Sequence, residues 1–223
     1  MSQPDRVQRF SSGERLVHWT VAALVLTLIG TGIAIYFPSF TRIVGRRGTV
    51  RELHVWSGYL LPLPLIVGLL LRPTGLRQDF RRLSRWLPDD RVWLFSKRLR
   101  PRLKIGKFNS GQKLLASLLA ISLTLAFVTG LMLRFPDSLP DDLRTGATFV
   151  HDWIFFAIMA LIIGHVLKAI QDRDALSAMT RGHVDADNAA RRWPLWNPEA
   201  TSTTAAAPDV EEQHKEPELA QKR

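Results

Sequence analysis

Residues 148–170 read TFVHDWIFFAIMALIIGHVLKAI, with no Asp, Glu, Lys or Arg between Asp152 and Lys168. A helix needs roughly 20 apolar residues to cross about 30 Å of hydrocarbon, so this run is long enough to span a bilayer. Two histidines interrupt it, His151 and His165. Imidazole carries two hydrogen-bonding nitrogens, and in lipid each ring needs a partner. The fourteen positions between them make almost four turns at about 3.6 residues each, so the rings share a face and stand about 21 Å apart along the axis.

Three further blocks have the same character: residues 16–37, 53–71 and 114–133. None carries a charge in its central part, and the four together predict an all-α integral membrane four-helix bundle. The 223 residues suit one domain, expected over 1–196. The remainder, 197–223, is rich in Ala, Thr, Pro and Glu and is expected to be a disordered tail. Block 16–37 follows three basic residues, as a signal peptide does, but it is longer than an h-region and YFPSF lacks a small-x-small cleavage pattern. It is expected to stay attached. The two helical hairpins are of similar build, and no internal repeat is read from the sequence.

The chain has no cysteine, which excludes disulfides, thiolate-held iron–sulfur clusters, a thiol nucleophile and covalent haem attachment within it. The net charge of +10 is unevenly spread. Sixteen Lys and Arg precede the first block or lie in residues 72–113, against six in 38–52 and 134–147. The positive-inside rule then places both termini and the central loop in the cytoplasm. The charge is read as this topogenic bias rather than as a nucleic-acid surface.

On that topology His54 and His151 lie near the outer surface, and His18 and His165 near the cytoplasmic one. A lone membrane histidine ties helices together or relays protons. Four paired by depth point elsewhere. A zinc site wants four ligands around one metal, whereas two imidazoles on opposite faces of a flat macrocycle in an apolar slot are what a haem takes. Gly58 and Gly164 adjoin the candidate ligands, with Gly30 and Gly32 deeper in the first helix; small residues allow close approach to a helix or a flat cofactor. Arg15, Arg51 and Lys168 lie where haem propionates would reach the interface. Trp19, Trp56 and Trp153 suit the interfacial aromatic belt, and Pro62 with Pro64 predicts a bend in the second helix.

The segments RFSSGERLVHW (9–19), HVWSGY (54–59), GKFNSGQK (106–113), HDW (151–153), GHV (164–166) and GHVDADNAARRWPLWNPE (182–199) resemble the cytochrome b, or gamma, subunit of membrane-bound formate dehydrogenase. Where that family tends to end in His-His-Pro-x-Trp, this chain has RRWPLW at 191–196. The resemblance implies two haems b, an outer one on His54 and His151 and an inner one on His18 and His165. It implies quinone as electron acceptor in a pocket lined by Asn109, Gly111 and Gln112. It also implies an iron–sulfur (beta) subunit and a catalytic (alpha) subunit as partners, with formate chemistry belonging to the partners, in a bacterial inner membrane. By residue type alone, Asn109 and Ser110 would also suit a helix cap, with Gly111 easing the turn. Alternatives are a di-haem subunit serving a hydrogenase or thiosulfate reductase, and a haem-free assembly or transport protein.

Overall fold

The computed structural model describes residues 6–37, 39–40, 46–71 and 75–196. Its frame is four long helical spans: α1 (Ser12–Tyr36), α2 with α3 (Arg47–Leu60 and Pro62–Leu70), α6 (Ser110–Arg134) and α7 (Asp141–Gln171). Two short helices, α4 (Leu76–Ser84) and α5 (Pro88–Phe95), join the second span to the third. After the fourth come α8 (Arg173–Arg181) and α9 (Ala186–Arg192). Strand β1 (Arg6–Gln8) pairs antiparallel with β2 (His183–Asp185), Val7 opposite Val184. This end of the bundle is called the sheet end below. The tail from 197 lies outside the described residues.

The helices outrun the apolar blocks because polar residues start them, α1 and α6 with side-chain capping boxes. α1 begins at Ser12, where Ser11 Oγ accepts from the Glu14 amide at 3.2 Å and the Ser11 amide donates to Glu14 Oε2 at 2.6 Å. Such a box satisfies two amides that the helix itself leaves unpaired. α7 begins at Asp141, with Asp141 and Asp142 facing the positive end of the helix dipole. In the second span, Pro62 and Pro64 lack the N–H groups that would reach back one turn. The backbone stays right-handed at Leu61 (φ −55°, ψ −43°) between the two segments.

Apolar side chains point outward along every span, among them Leu26, Leu65, Ile121 and Ile170. Only 6% to 17% of the most apolar window of each span is buried within the bundle. A surface of that kind is at rest only in hydrocarbon, and the chain is a multi-pass membrane protein. Inside, Val25, Leu61 and Ile158 form the middle apolar layer. A second core at the sheet end collects Phe10, Ala178, Val184, Ala189, Trp193 and Trp196.

The fold also corrects the reading that the chain holds no internal repeat. With a constant offset of 98 positions, Phe10, Ser11, Gly13, Glu14 and Leu16 align with Phe108, Asn109, Gly111, Gln112 and Leu114, and Thr31-Gly32 aligns with Thr129-Gly130. Both first helices begin with a capping box, Ser11 with Glu14 and Asn109 with Gln112. His54 and His151 match at an offset of 97. Divergent lipid-facing residues hide the repeat from a scan for identity.

Candidate functional site

The structure brings the four membrane histidines together in the pairs expected from depth. His18 of α1 and His165 of α7 have ring centres 6.1 Å apart at the sheet end. His54 of α2 and His151 of α7 have ring centres 6.3 Å apart at the far end. His183 is exposed, its Nδ1 3.2 Å from the Arg181 carbonyl, and belongs to neither pair.

A cleft of about 120 Å³ opens beside the far-end pair. Its lining is largely apolar and includes both histidines, Gly58, Gly130, Phe155 and Arg134. A Cβ on Gly130 would lie 3.4 Å from His151 Cε1, and one on Gly32 would lie 3.3 Å from the Phe155 ring. The glycines therefore keep the walls close to the imidazoles without side chains of their own. Arg134 is a site residue that the sequence reading missed, because at a helix end it looked like any topogenic arginine.

The three cationic residues expected near propionates behave differently. Arg51 and Lys168 are exposed, and Lys168 Nζ donates to Gln171 at 3.1 Å. The Arg15 guanidinium turns to the end of α8, with Nη1 donating to the Thr180 carbonyl at 2.6 Å and Nη2 to Ser12 Oγ at 3.2 Å. Gly182, at φ +91°, has its backbone against this guanidinium, where a Cβ would strike the Phe10 carbonyl at 2.9 Å.

The loop before α6 meets the sheet end near a buried charge cluster. Asn109 Oδ1 accepts from the Gln112 amide at 2.9 Å, and the Asn109 amide donates to Gln112 Oε1 at 3.0 Å. The cap expected from residue type is thus present. It uses the two side-chain oxygens, and among the described residues neither side-chain NH2 has a partner. Gly111 lies under Trp93, whose ring would be 3.1 Å from a Cβ there. Next to this loop, Lys107 Nζ donates to Glu14 Oε1 at 3.1 Å and to Asp79 Oδ2 at 2.5 Å. Lys113 Nζ reaches Asp90 at 2.8 Å, and Ser110 Oγ donates to the same carboxylate at 2.6 Å. Arg9 stacks 3.4 Å above the Trp193 ring and donates to the Lys107 carbonyl at 2.8 Å, and burial pulls its pKa down to about 10.

A helical membrane bundle with facing histidine pairs in its interior defines a membrane cytochrome of the b type. Residues 9–182 match the family of prokaryotic cytochrome b561, and the chain belongs to that family. It is therefore a haem-binding electron-transport protein, and the haem-free alternative falls. The chain is 26% identical over 218 residues to the formate dehydrogenase cytochrome b556(fdo) subunit of Escherichia coli K12, covering 92% of this chain and 98% of that one. It is 24% identical to the formate dehydrogenase cytochrome b556 subunit of Haemophilus influenzae, over 88% of this chain and 84% of that one. Against the nitrate-inducible cytochrome b556(Fdn) subunit of Escherichia coli K12 the identity is 23%, with coverage of 88% and 92%. The resemblance drawn from the motifs is borne out.

Proposed function

We propose that this chain is the membrane-anchor electron-transfer subunit of a respiratory formate dehydrogenase. It takes electrons from an iron–sulfur partner at the far end, carries them through two b haems, and delivers them to quinone at the sheet end, which faces the cytoplasm. The observation that carries the reading is the pair of imidazole gaps, 6.3 Å and 6.1 Å between ring centres. Two metal–imidazole bonds of roughly 2 Å each, with the ring radii added, span about 6 Å, so one iron suits each gap. None of the four Nε2 atoms has a hydrogen-bond partner among the described residues.

His54 and His151 would hold the far-end haem, and His18 and His165 the sheet-end one. Arg134, lining the far-end cleft, would balance propionate charge there. A haem held between two such imidazoles would supply one-electron carriage in preference to oxygen chemistry. The layer of Val25, Leu61 and Ile158 between the two levels keeps water out of the middle of the bundle, so protons do not follow the electrons across. At the sheet end the free amide donors of Asn109 and Gln112 suit the carbonyl oxygens of a quinone, which needs two electrons and two protons to become quinol. The relatives named as formate dehydrogenase subunits support formate as the ultimate donor, the catalytic and iron–sulfur partners carrying that chemistry.

The test uses the chain co-expressed and purified with its neighbouring subunits. Addition of formate under anaerobic conditions is expected to reduce b-type haem, and quinone is expected to reoxidise it. Haem that is reduced by dithionite but not by formate would overturn the assignment of donor. A preparation with one haem per chain would overturn the two-level path.

A further inference from the structure

The two far-end histidines are met by the same device twice. Thr31 Oγ1 lies 2.9 Å from His54 Nδ1, and Thr129 Oγ1 lies 2.9 Å from His151 Nδ1. Each hydroxyl has already committed its proton within its own helix, Thr31 to the Thr27 carbonyl at 2.7 Å and Thr129 to the Leu125 carbonyl at 2.7 Å. What each turns to the ring nitrogen is a lone pair, so Nδ1 must be the donor. Both rings are therefore the Nδ1–H tautomer with the lone pair on Nε2.

A threonine bonded back to its own helix is ordinary by itself. Here the back-bond is coupled to a second contact of equal length, on a Thr-Gly dipeptide that recurs 98 positions later. The sheet-end pair lacks the device. The repeat puts Ala116 opposite His18, and among the described residues no hydrogen bond reaches a ring nitrogen of His18 or His165.

We propose that Thr31 and Thr129 are positioning residues of the far-end haem site, which fix the tautomer and plane of both ligands and lower the potential of the haem they hold. This rests on the assignment of His54 and His151 as ligands. An acceptor on Nδ1–H gives the imidazole more anionic character, and a more basic ligand favours ferric iron. Because the sheet-end ligands have no such acceptor among the described residues, the asymmetry inclines electrons from the far end toward the sheet end. The repeat thus supplies a symmetric far-end site with a low-potential bias, while His18 and His165, which break the repeat, hold the haem of higher potential.

The test compares Thr31→Val, Thr129→Val, the double variant and the two Thr→Ser variants in the purified complex, by haem content, optical redox titration and electron paramagnetic resonance of the ferric haems. The far-end potential is identified as the one that disappears in His54→Ala. The valine variants are expected to raise that potential and shift its ferric signal, the double variant more than either single one, while the sheet-end potential stays fixed and serine restores the wild-type value. Valine variants that lose the far-end haem while serine variants keep it would support the same role. Unchanged potentials with full haem content, a shift that serine does not restore, or a shift at the sheet-end haem would overturn it. A wild-type complex whose ferric signals are not those of bis-imidazole haem would instead sink the ligand assignment, visibly and before any threonine is changed.

Discussion

Lys107 Nζ lies 2.5 Å from Asp79 Oδ2, with the two side chains 1% and 6% exposed. Glu14 Oε1 is 3.1 Å from the same ammonium. The cluster ties the first turn of α1, the helix α4 and the loop before α6 into one unit. Removing one partner of a buried ion pair strands the other, at a cost of about 3–5 kcal/mol. Lys107→Met, which keeps the apolar stem, is expected to lower the melting temperature of the detergent-solubilised protein markedly. The triple variant Glu14→Gln, Asp79→Asn, Lys107→Met leaves only the partly exposed Arg82 without its carboxylate and is expected to recover most of the loss. A Lys107→Met protein that melts with the wild type would show that the cluster does not anchor this end.

The same cluster makes stability depend on pH. Burial, together with a hydrogen bond to Glu14, pushes the Asp79 carboxyl up from 3.8 to about 7, against the opposing pull of Lys107. Arg82, whose Nη1 is 3.1 Å from Asp79 Oδ1, is the other charge facing it. Between those two values the folded protein holds a proton that the unfolded chain has released. The contribution of Asp79 is therefore full below about pH 4 and is lost as pH rises through about 7. Asp79→Asn stays neutral throughout, so its melting temperature is expected to fall less than that of the wild type between these limits. Parallel curves for the two proteins would remove Asp79 as the titrating group.

For the four ligand candidates the expected losses are specific to level. Replacing His54 or His151 by Ala removes the far-end haem, and replacing His18 or His165 removes the sheet-end haem, because each iron depends on both imidazoles. His183→Ala leaves both in place. The readout is haem per chain together with the number of redox transitions. Loss of the same haem from His18→Ala and His54→Ala would show that the pairing is wrong.

What the sequence revealed depended on range. The spans were legible because twenty or so apolar residues in a row have one cheap explanation, and the histidine pairs because depth follows from counting along helices. The Lys107 cluster was hidden, since Glu14 and Lys107 are 93 residues apart and a charge beside a span looks topogenic. β1 and β2 are three residues each and pair across the whole chain, too short and too distant for any local pattern. Thr31 and Thr129 read as unremarkable helix residues until the neighbouring helix puts an imidazole against each hydroxyl.

The loop at Asn109 admits a test that separates its two roles. The cap uses Asn109 Oδ1 and Gln112 Oε1 as acceptors, whereas a quinone carbonyl would use the two side-chain NH2 groups. Aspartate is as good a cap as asparagine, and glutamate is the usual third partner of a capping box; the first half of the chain already uses Glu14 in that position. Asn109→Asp and Gln112→Glu therefore keep the box and delete the donors, and they add negative charge where a reduced quinone would also be negative. Both variants are expected to retain haem content, melting temperature and reduction by formate, while reoxidation by quinone slows by at least about tenfold, the equivalent of about 1.4 kcal/mol lost from the reactive complex. Alanine at either site is expected to cost about 1 kcal/mol of stability as well. Wild-type reoxidation in Asn109→Asp and Gln112→Glu would leave the loop as a helix cap alone and move the quinone site elsewhere on the bundle.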